Sequence, residues 1–177
     1  MLPWLDHARP VACRGRSGAL IEGVQYRKKP SVLRASMRNV PSRAQMAGLG
    51  FAEAFAKYGA KLRNVQWSVC AEAPDGSLVV SLWEHHFSPA SKGTVQCRDS
   101  FARWSGPGNA EFRVCVQRAH ATGQRVKVVI AHASDPDAVQ SGADASKIAK
   151  EFSVRPDWIG RVAEIRGDDY VIEFRRA

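Results

Sequence analysis

The sequence predicts an α+β domain with a mixed or antiparallel sheet of about five strands, two hairpins and about three helices. Two segments, 51–62 and 110–122, repeat apolar residues at helical spacing. Strand-like segments flank two turn sequences, 74–77 and 167–169. A chain of 177 residues with 45% hydrophobic residues has the length and composition to bury one core.

Charge divides the chain into a basic leader, residues 1–45, and a near-neutral domain, residues 46–177. The leader holds nine of the 26 basic residues and two of the 17 acidic ones, so it carries +7 of the net charge of +9. It shows no sustained periodicity and contains several prolines, so we expect disorder there. A basic extension of this kind can bind phosphates by charge alone, or can simply be a solvated tail.

The cysteine pattern and hydropathy predict a soluble, cytoplasmic protein with free thiols. No two of the cysteines form a C-x-x-C pair; they are Cys13, Cys70, Cys97 and Cys115. The longest apolar run, 126–131, contains a lysine and is too short to span a bilayer, and no secretory signal is evident. We therefore predict no membrane association, no metal and no cofactor.

The first predicted elements are a helix over residues 51–62 and a hairpin of strands 66–73 and 78–87. Pro, Asp and Gly in the intervening segment 74–77 are typical of a tight turn. Because the second strand is apolar on both sides, it should lie inside a sheet that is covered on both faces.

The central part of the chain predicts a strand–helix–strand unit. A long connection over 88–108 leads to a helix at 110–122, with Asn109 as its N-cap. Residues 125–131 follow as a strand, so a parallel pairing with strand 78–87 is plausible.

The C-terminal part predicts a short helix and a second hairpin. The helix covers about 145–152, and the hairpin strands cover 160–166 and 170–175.

The loop before Asn109 is a candidate site for an anion or a nucleic acid. Glycines and a helix N-terminus expose backbone N–H groups, arginines add charge, and a tryptophan offers a stacking face. The residues concerned are Arg98, Arg103, Trp104, Gly108 and Asn109. The alternative is a stiff turn with Trp104 in the core and Glu111 complementing the helix dipole.

A candidate catalytic set consists of Glu84, His86 and Asp99. A carboxylate beside an imidazole is suited to general acid–base chemistry, and residues two apart on a strand share one face. A metal-dependent hydrolase or nuclease would use such a set, although the His and Cys residues lack the spacing of metal ligands. The alternative is a polar strand end close to solvent.

These observations lead to three functional hypotheses. The first is a non-enzymatic nucleic-acid-binding or processing accessory protein, with DNA or RNA as partner, in which the Arg98–Asn109 loop acts with the leader. The second is a small hydrolase or nuclease centred on Glu84, His86 and Asp99. The third is a protein–protein adaptor without chemistry, and fold class alone does not separate the three.

Overall fold

The computed structural model describes residues 48–91, 93–141 and 145–177. The predicted leader, residues 1–45, lies outside the described residues, and its disorder stays a prediction. None of the helices in these three ranges has the length and apolar character that a membrane crossing requires.

The described residues form three α-helices and eight strands. The helices are α1 (Phe51–Ala56), α2 (Pro107–Thr122) and α3 (Pro136–Gln140). The strands are β1 (Cys70–Glu72), β2 (Leu78–Trp83), β3 (Phe87–Ser91), β4 (Thr94–Ser100), β5 (Val126–Ala133), β6 (Lys150–Val154), β7 (Trp158–Arg166) and β8 (Asp169–Arg176). Short 3-10 turns cover Glu84–His86, Phe101–Arg103 and Ala145–Lys147.

All eight strands belong to one mixed sheet with the order β1-β2-β5-β7-β8-β4-β3, and β6 pairs with β5 outside this path. The β2–β5 pair is parallel and the other pairs are antiparallel. The predicted α+β class with a mixed sheet is confirmed, but the sheet has eight strands instead of five.

Both predicted hairpins are present, as β1–β2 and β7–β8, and so is the parallel pair. Leu78 lies opposite Val126 and Trp83 lies opposite Ala131 in the β2–β5 register. Helix α1 is shorter than predicted and ends at Ala56. The chain turns away at Gly59, which has a left-handed φ of 71° and packs against Pro74.

The long connection predicted over 88–108 is wrong, because most of it forms the β3–β4 hairpin. Strand β3 lies at the sheet edge, is largely exposed and contains Pro89, which an edge strand tolerates. Strand β4 has a single buried residue, Cys97. Neither strand therefore carries the apolar alternation by which strands are recognised.

The helix predicted over 145–152 is also wrong. The chain makes a 3-10 turn there and then enters β6, which pairs with β5. Phe152 on β6 packs against the ring of Phe51 at a centroid distance of 4.9 Å. Pairing and burial thus override a weak helical pattern. Helix α3, capped by the Asp135 side chain, was not predicted.

The sheet is strongly curled. Strands β2 and β3 are five strand spacings apart in the order, which is roughly 24 Å in a flat sheet. The chain from Trp83 to Phe87 spans at most about 14 Å. The sheet must therefore bend until the end of β2 faces β4 and β3, and the turn Glu84–His86 bridges the gap.

Two apolar clusters cover the two faces of β2 and β5. On one face Phe112 of α2 packs in a cluster with Val80 and Val128 of the two strands. On the other face α1 packs with Val79 and Val129 among others. This arrangement confirms that the apolar strand β2 is covered on both sides.

Gly108 allows a close contact between the start of α2 and the segment before β1. A Cβ at this position would overlap the backbone carbonyl of Trp67 and press on the Trp104 ring at 3.3 Å. A backbone carbonyl cannot rotate away as the end of a side chain can, so only glycine fits here.

We expect Gly108→Ala to lower the free energy of unfolding by about 2–3 kcal/mol, because α2 must shift away from residue 67. Urea denaturation followed by circular dichroism measures the loss. Gly50→Ala is the control, since its new Cβ would meet Glu53 at 3.9 Å, and it should cost less than about 1 kcal/mol. Equal losses in the two variants would contradict the contact.

Candidate functional site

A cleft of about 760 Å³ opens where β1 stops short of the end of β2. Strand β1 pairs only with residues Leu78–Val80, and a hydrogen bond from Ser81 N to Val69 O, 2.9 Å long, is the next link. The rest of β2 borders the cleft on its unpaired side. Aromatic side chains dominate the lining; they are Phe51, Trp67, Trp83, Trp104, Phe112, Phe152 and Tyr170.

The polar part of the cleft wall includes an ion pair between Asp99 and Arg103, together with Lys150 and several uncharged polar residues. The guanidinium donates from Nε to Oδ1 at 2.8 Å and from Nη2 to Oδ2 at 2.6 Å, which is bidentate geometry. The Asp99 side chain is 7% exposed and that of Arg103 is 18% exposed. Asp99 comes from the end of β4 and Arg103 from the following 3-10 turn.

Two further groups share the Asp99 carboxylate. The Tyr170 hydroxyl donates to Oδ2 at 3.3 Å, and Nδ1 of His86 lies 3.2 Å from the same oxygen. Burial alone would raise the pKa of Asp99, but hydrogen bonds from Arg103 and His86 outweigh burial and hold the pKa well below its usual range. Burial raises the pKa of Tyr170 well above its ordinary value. Asp99 is therefore a fixed anion at neutral pH.

The structure brings His86 and Asp99 together but places Glu84 elsewhere. The 3-10 turn over Glu84–His86 replaces the expected strand end, so residues two apart no longer share a face. Glu84 Oε2 lies 2.8 Å from Nδ1 of His132, and His86 Nε2 lies 3.2 Å from Gln140 Oε1. His86 itself does not line the cleft. The role of these three residues in catalysis stays a prediction.

A chain of polar contacts that the sequence did not predict continues from Glu84. His132 Nε2 lies 2.7 Å from the hydroxyl of Ser153, so Ser153, His132 and Glu84 have the partner order of a serine–histidine–acid triad. Ser153, however, is 4% exposed and does not line the cleft, while the Glu84 side chain is 51% exposed. A nucleophile must contact its substrate, so we interpret this chain as a structural link between β5, β6 and the 3-10 turn.

The basic residues predicted for the anion site lie on different sides of β4. Arg98 is exposed and donates to Gln96 at 3.2 Å, whereas Asp99, its neighbour, turns into the cleft with Arg103. Successive residues on a strand point to opposite faces, which separates Arg98 from the cleft. Trp104 does line the cleft, as the stacking hypothesis requires.

Asn109 is not the N-cap of α2. The helix begins at Pro107 after Gly106, which has a φ of 107°, and Asn109 lies inside it. Its buried amide donates to Phe101 O at 2.8 Å and to Trp104 O at 3.0 Å. The amide thus fixes the Phe101–Trp104 segment against α2, and the proline two residues earlier is the better sequence signal for the helix start. Anion binding at Gly108 and Asn109 stays a prediction.

Residues of the types that can bind metals do not cluster within the described ranges. Among residues 48–91, 93–141 and 145–177, no group of three or more His, Cys, Asp or Glu is placed to hold a metal ion.

We expect Asp99→Asn to lower the free energy of unfolding by about 3 kcal/mol at pH 7, because it leaves the guanidinium of Arg103 without its counter-charge. Urea denaturation at several pH values measures the difference from the wild-type chain.

The difference should depend on pH in one direction. The folded-state pKa of Asp99 is depressed, so its contribution is complete above the unfolded-state value of about 3.9. It is lost as pH falls from about 5 through the folded-state pKa. A difference of the same size at pH 7 and pH 3 would contradict this account.

Compared with known proteins, the chain matches no protein-family model, no curated protein and no solved structure.

Proposed function

We propose that the domain binds a planar heteroaromatic group of the nucleobase type in its cleft, without chemistry on the ligand. The observation that carries this proposal is that three half-buried tryptophans, Trp67, Trp83 and Trp104, line one cleft together. A volume of about 760 Å³ falls within the range usual for ligand pockets.

The three tryptophans come from separate parts of the chain: the segment before β1, the end of β2 and the segment before α2. Core packing accounts for these residues only in part: Trp83 and Trp104 pack against the two apolar clusters, but all three tryptophans are partly exposed and line the cleft. The Trp104 ring also contacts Phe112 at a centroid distance of 6.3 Å, which orients it in the wall. Rigid aromatic walls of this kind bind planar rings by stacking.

Arg103 supplies hydrogen-bond donors beside the aromatic walls. Asp99 takes two of its five N–H groups, and within the described ranges the other three are left for an acceptor on a ligand. Because Asp99 balances its charge, Arg103 favours a carbonyl or a single acidic oxygen over a cluster of phosphates. Stacking is therefore expected to supply most of the affinity, in keeping with a domain whose net charge is near zero.

A nucleobase reaches such a cleft from one of two sources, a free nucleotide or a single strand of nucleic acid. The basic leader favours the second source, because its charge would add sequence-independent contacts to phosphates. We therefore propose single-stranded DNA or RNA as the partner, with a base in the cleft and phosphates near the leader. The hydrolase hypothesis has less support, since His86 does not line the cleft and its Nε2 contacts Gln140.

The test is a titration of the full chain, followed by tryptophan fluorescence, with the four common nucleoside monophosphates and with a single-stranded oligonucleotide. We expect quenching, and we expect Trp104→Ala and Trp67→Ala to weaken binding by roughly 5- to 150-fold, the loss of one stacking partner. Trp158→Phe is the matched control, because Trp158 packs against Phe87 and Phe174 outside the cleft.

The same titration identifies the source of the base. Tighter binding of the oligonucleotide that weakens steeply with salt indicates nucleic acid, and equal, salt-insensitive binding of monophosphates indicates a free nucleotide. Binding of neither probe, or an equal loss of affinity in Trp158→Phe, would contradict the proposal.

A further inference from the structure

Cys70 and Cys115 form a pair of thiols that the proposed function does not use. Cys70 is the first residue of β1 and is 2% exposed. Cys115 lies in the middle of α2, is partly exposed, and packs against the core cluster to which Cys70 belongs. Each thiol is also the first-ranked cause of the shifted pKa of the other.

A second contact confirms that these faces of β1 and α2 meet. Arg118 on α2 donates to Glu72 on β1 at 2.6 Å. Glu72 is two residues after Cys70 on the same side of the strand, and Arg118 is one helical turn after Cys115. The Glu72–Arg118 ion pair and the two cysteines are therefore neighbours in one interface between β1 and α2.

We propose that Cys70 and Cys115 are an oxidisable dithiol, in which Cys115 reacts with a peroxide and Cys70 resolves the product as an intramolecular disulfide. The disulfide would join β1 to α2, two elements that already meet at the Glu72–Arg118 ion pair and in one apolar cluster.

Local charges assign the two roles. Hydrogen bonding from Cys70, supported by the charge of Arg118, lowers the pKa of Cys115 to about 7, although partial burial and the carboxylates of Glu111 and Glu72 act in the opposite direction. The same hydrogen bond, together with burial, raises the pKa of Cys70 far above its usual range. Cys115 is thus the thiolate and the more accessible sulfur, and Cys70 is the protonated partner.

The reaction balances with hydrogen peroxide as the oxidant. The Cys115 thiolate attacks one peroxide oxygen; an S–O bond forms, the O–O bond breaks, and the released hydroxide takes a proton to become water. Cys115 is then a sulfenic acid. Its negative charge is gone, so the main cause of the raised pKa of Cys70 is removed. The Cys70 sulfur loses its proton and attacks the Cys115 sulfur; the S–S bond forms, the S–O bond breaks, and the departing hydroxide takes up a proton and leaves as a second water.

Cys97 provides an internal comparison. It is fully buried on β4, and burial raises the pKa of its thiol well above the ordinary value. A buried, protonated thiol without a partner should not react.

The test treats the reduced full chain with a small excess of hydrogen peroxide, alkylates the remaining thiols and maps tryptic peptides without reduction. We expect peptide 64–92 joined to peptide 114–118, with the loss of two hydrogen atoms. Cys115→Ser should abolish this product, and Cys97→Ser should leave its yield unchanged. Cys70→Ser should leave a sulfenic acid on Cys115 that dimedone traps, a readout that does not depend on disulfide formation.

A second measurement applies to the unmodified chain. Iodoacetamide at pH 7 should alkylate Cys115 at least about 10-fold faster than Cys97, and this preference should disappear in urea. The proposal is overturned if Cys115 survives peroxide unchanged, if Cys115 is linked to Cys13 or Cys97 in comparable yield, or if Cys115 and Cys97 are alkylated at equal rates.

Discussion

The carboxylate of Asp99 holds the cleft region together. It accepts two hydrogen bonds from Arg103 and one from Tyr170, and it lies 3.2 Å from His86. These partners belong to the 3-10 turn after β4, to β8 and to the turn that leaves β2. One buried anion thus fixes three segments. Because the ion pair is buried, the loss of stability on removing one partner is larger than the net stability that the intact pair contributes.

The shape of the sheet determines where this anion lies. A flat sheet would keep the end of β2 far from β4, but three residues bridge them, so the sheet curls and brings His86 to Asp99. Strand β1 is only three residues long, which leaves the end of β2 open on one side. These two features together produce the cleft. Its walls are positioned by the close approach of Gly108 to residue 67 and by the hydrogen bonds of the Asn109 amide.

The sequence alone was sufficient to predict those elements whose apolar residues repeat regularly or whose turns contain typical turn residues. The Pro-Asp-Gly turn, the apolar strand β2 and its parallel partner β5 are examples. Strand β3 lacked such a signal because it is largely exposed, and β4 lacked it because only one of its residues is fully buried. Strand β6 lacked it because pairing with β5 decides its conformation. Of the site, residue types pointed to Arg103, Trp104 and Asp99. Tyr170 joins them as the cross-strand partner of Asp99 in the β4–β8 register, and Trp67 and Trp83 join them through contacts between distant segments. The Cys70–Cys115 pair likewise comes from distant segments that share one apolar cluster.

If three of the five tryptophans form one binding site, the indole N–H resonances of the ¹⁵N-labelled full chain should report ligand binding at all three. Each resonance is assigned by a Trp→Phe substitution, and nucleoside monophosphates are then added stepwise. We expect the signals of Trp67, Trp83 and Trp104 to shift together with one dissociation constant while that of Trp158 stays in place. Stationary signals for the three cleft tryptophans, or a comparable shift for Trp158, would contradict this expectation.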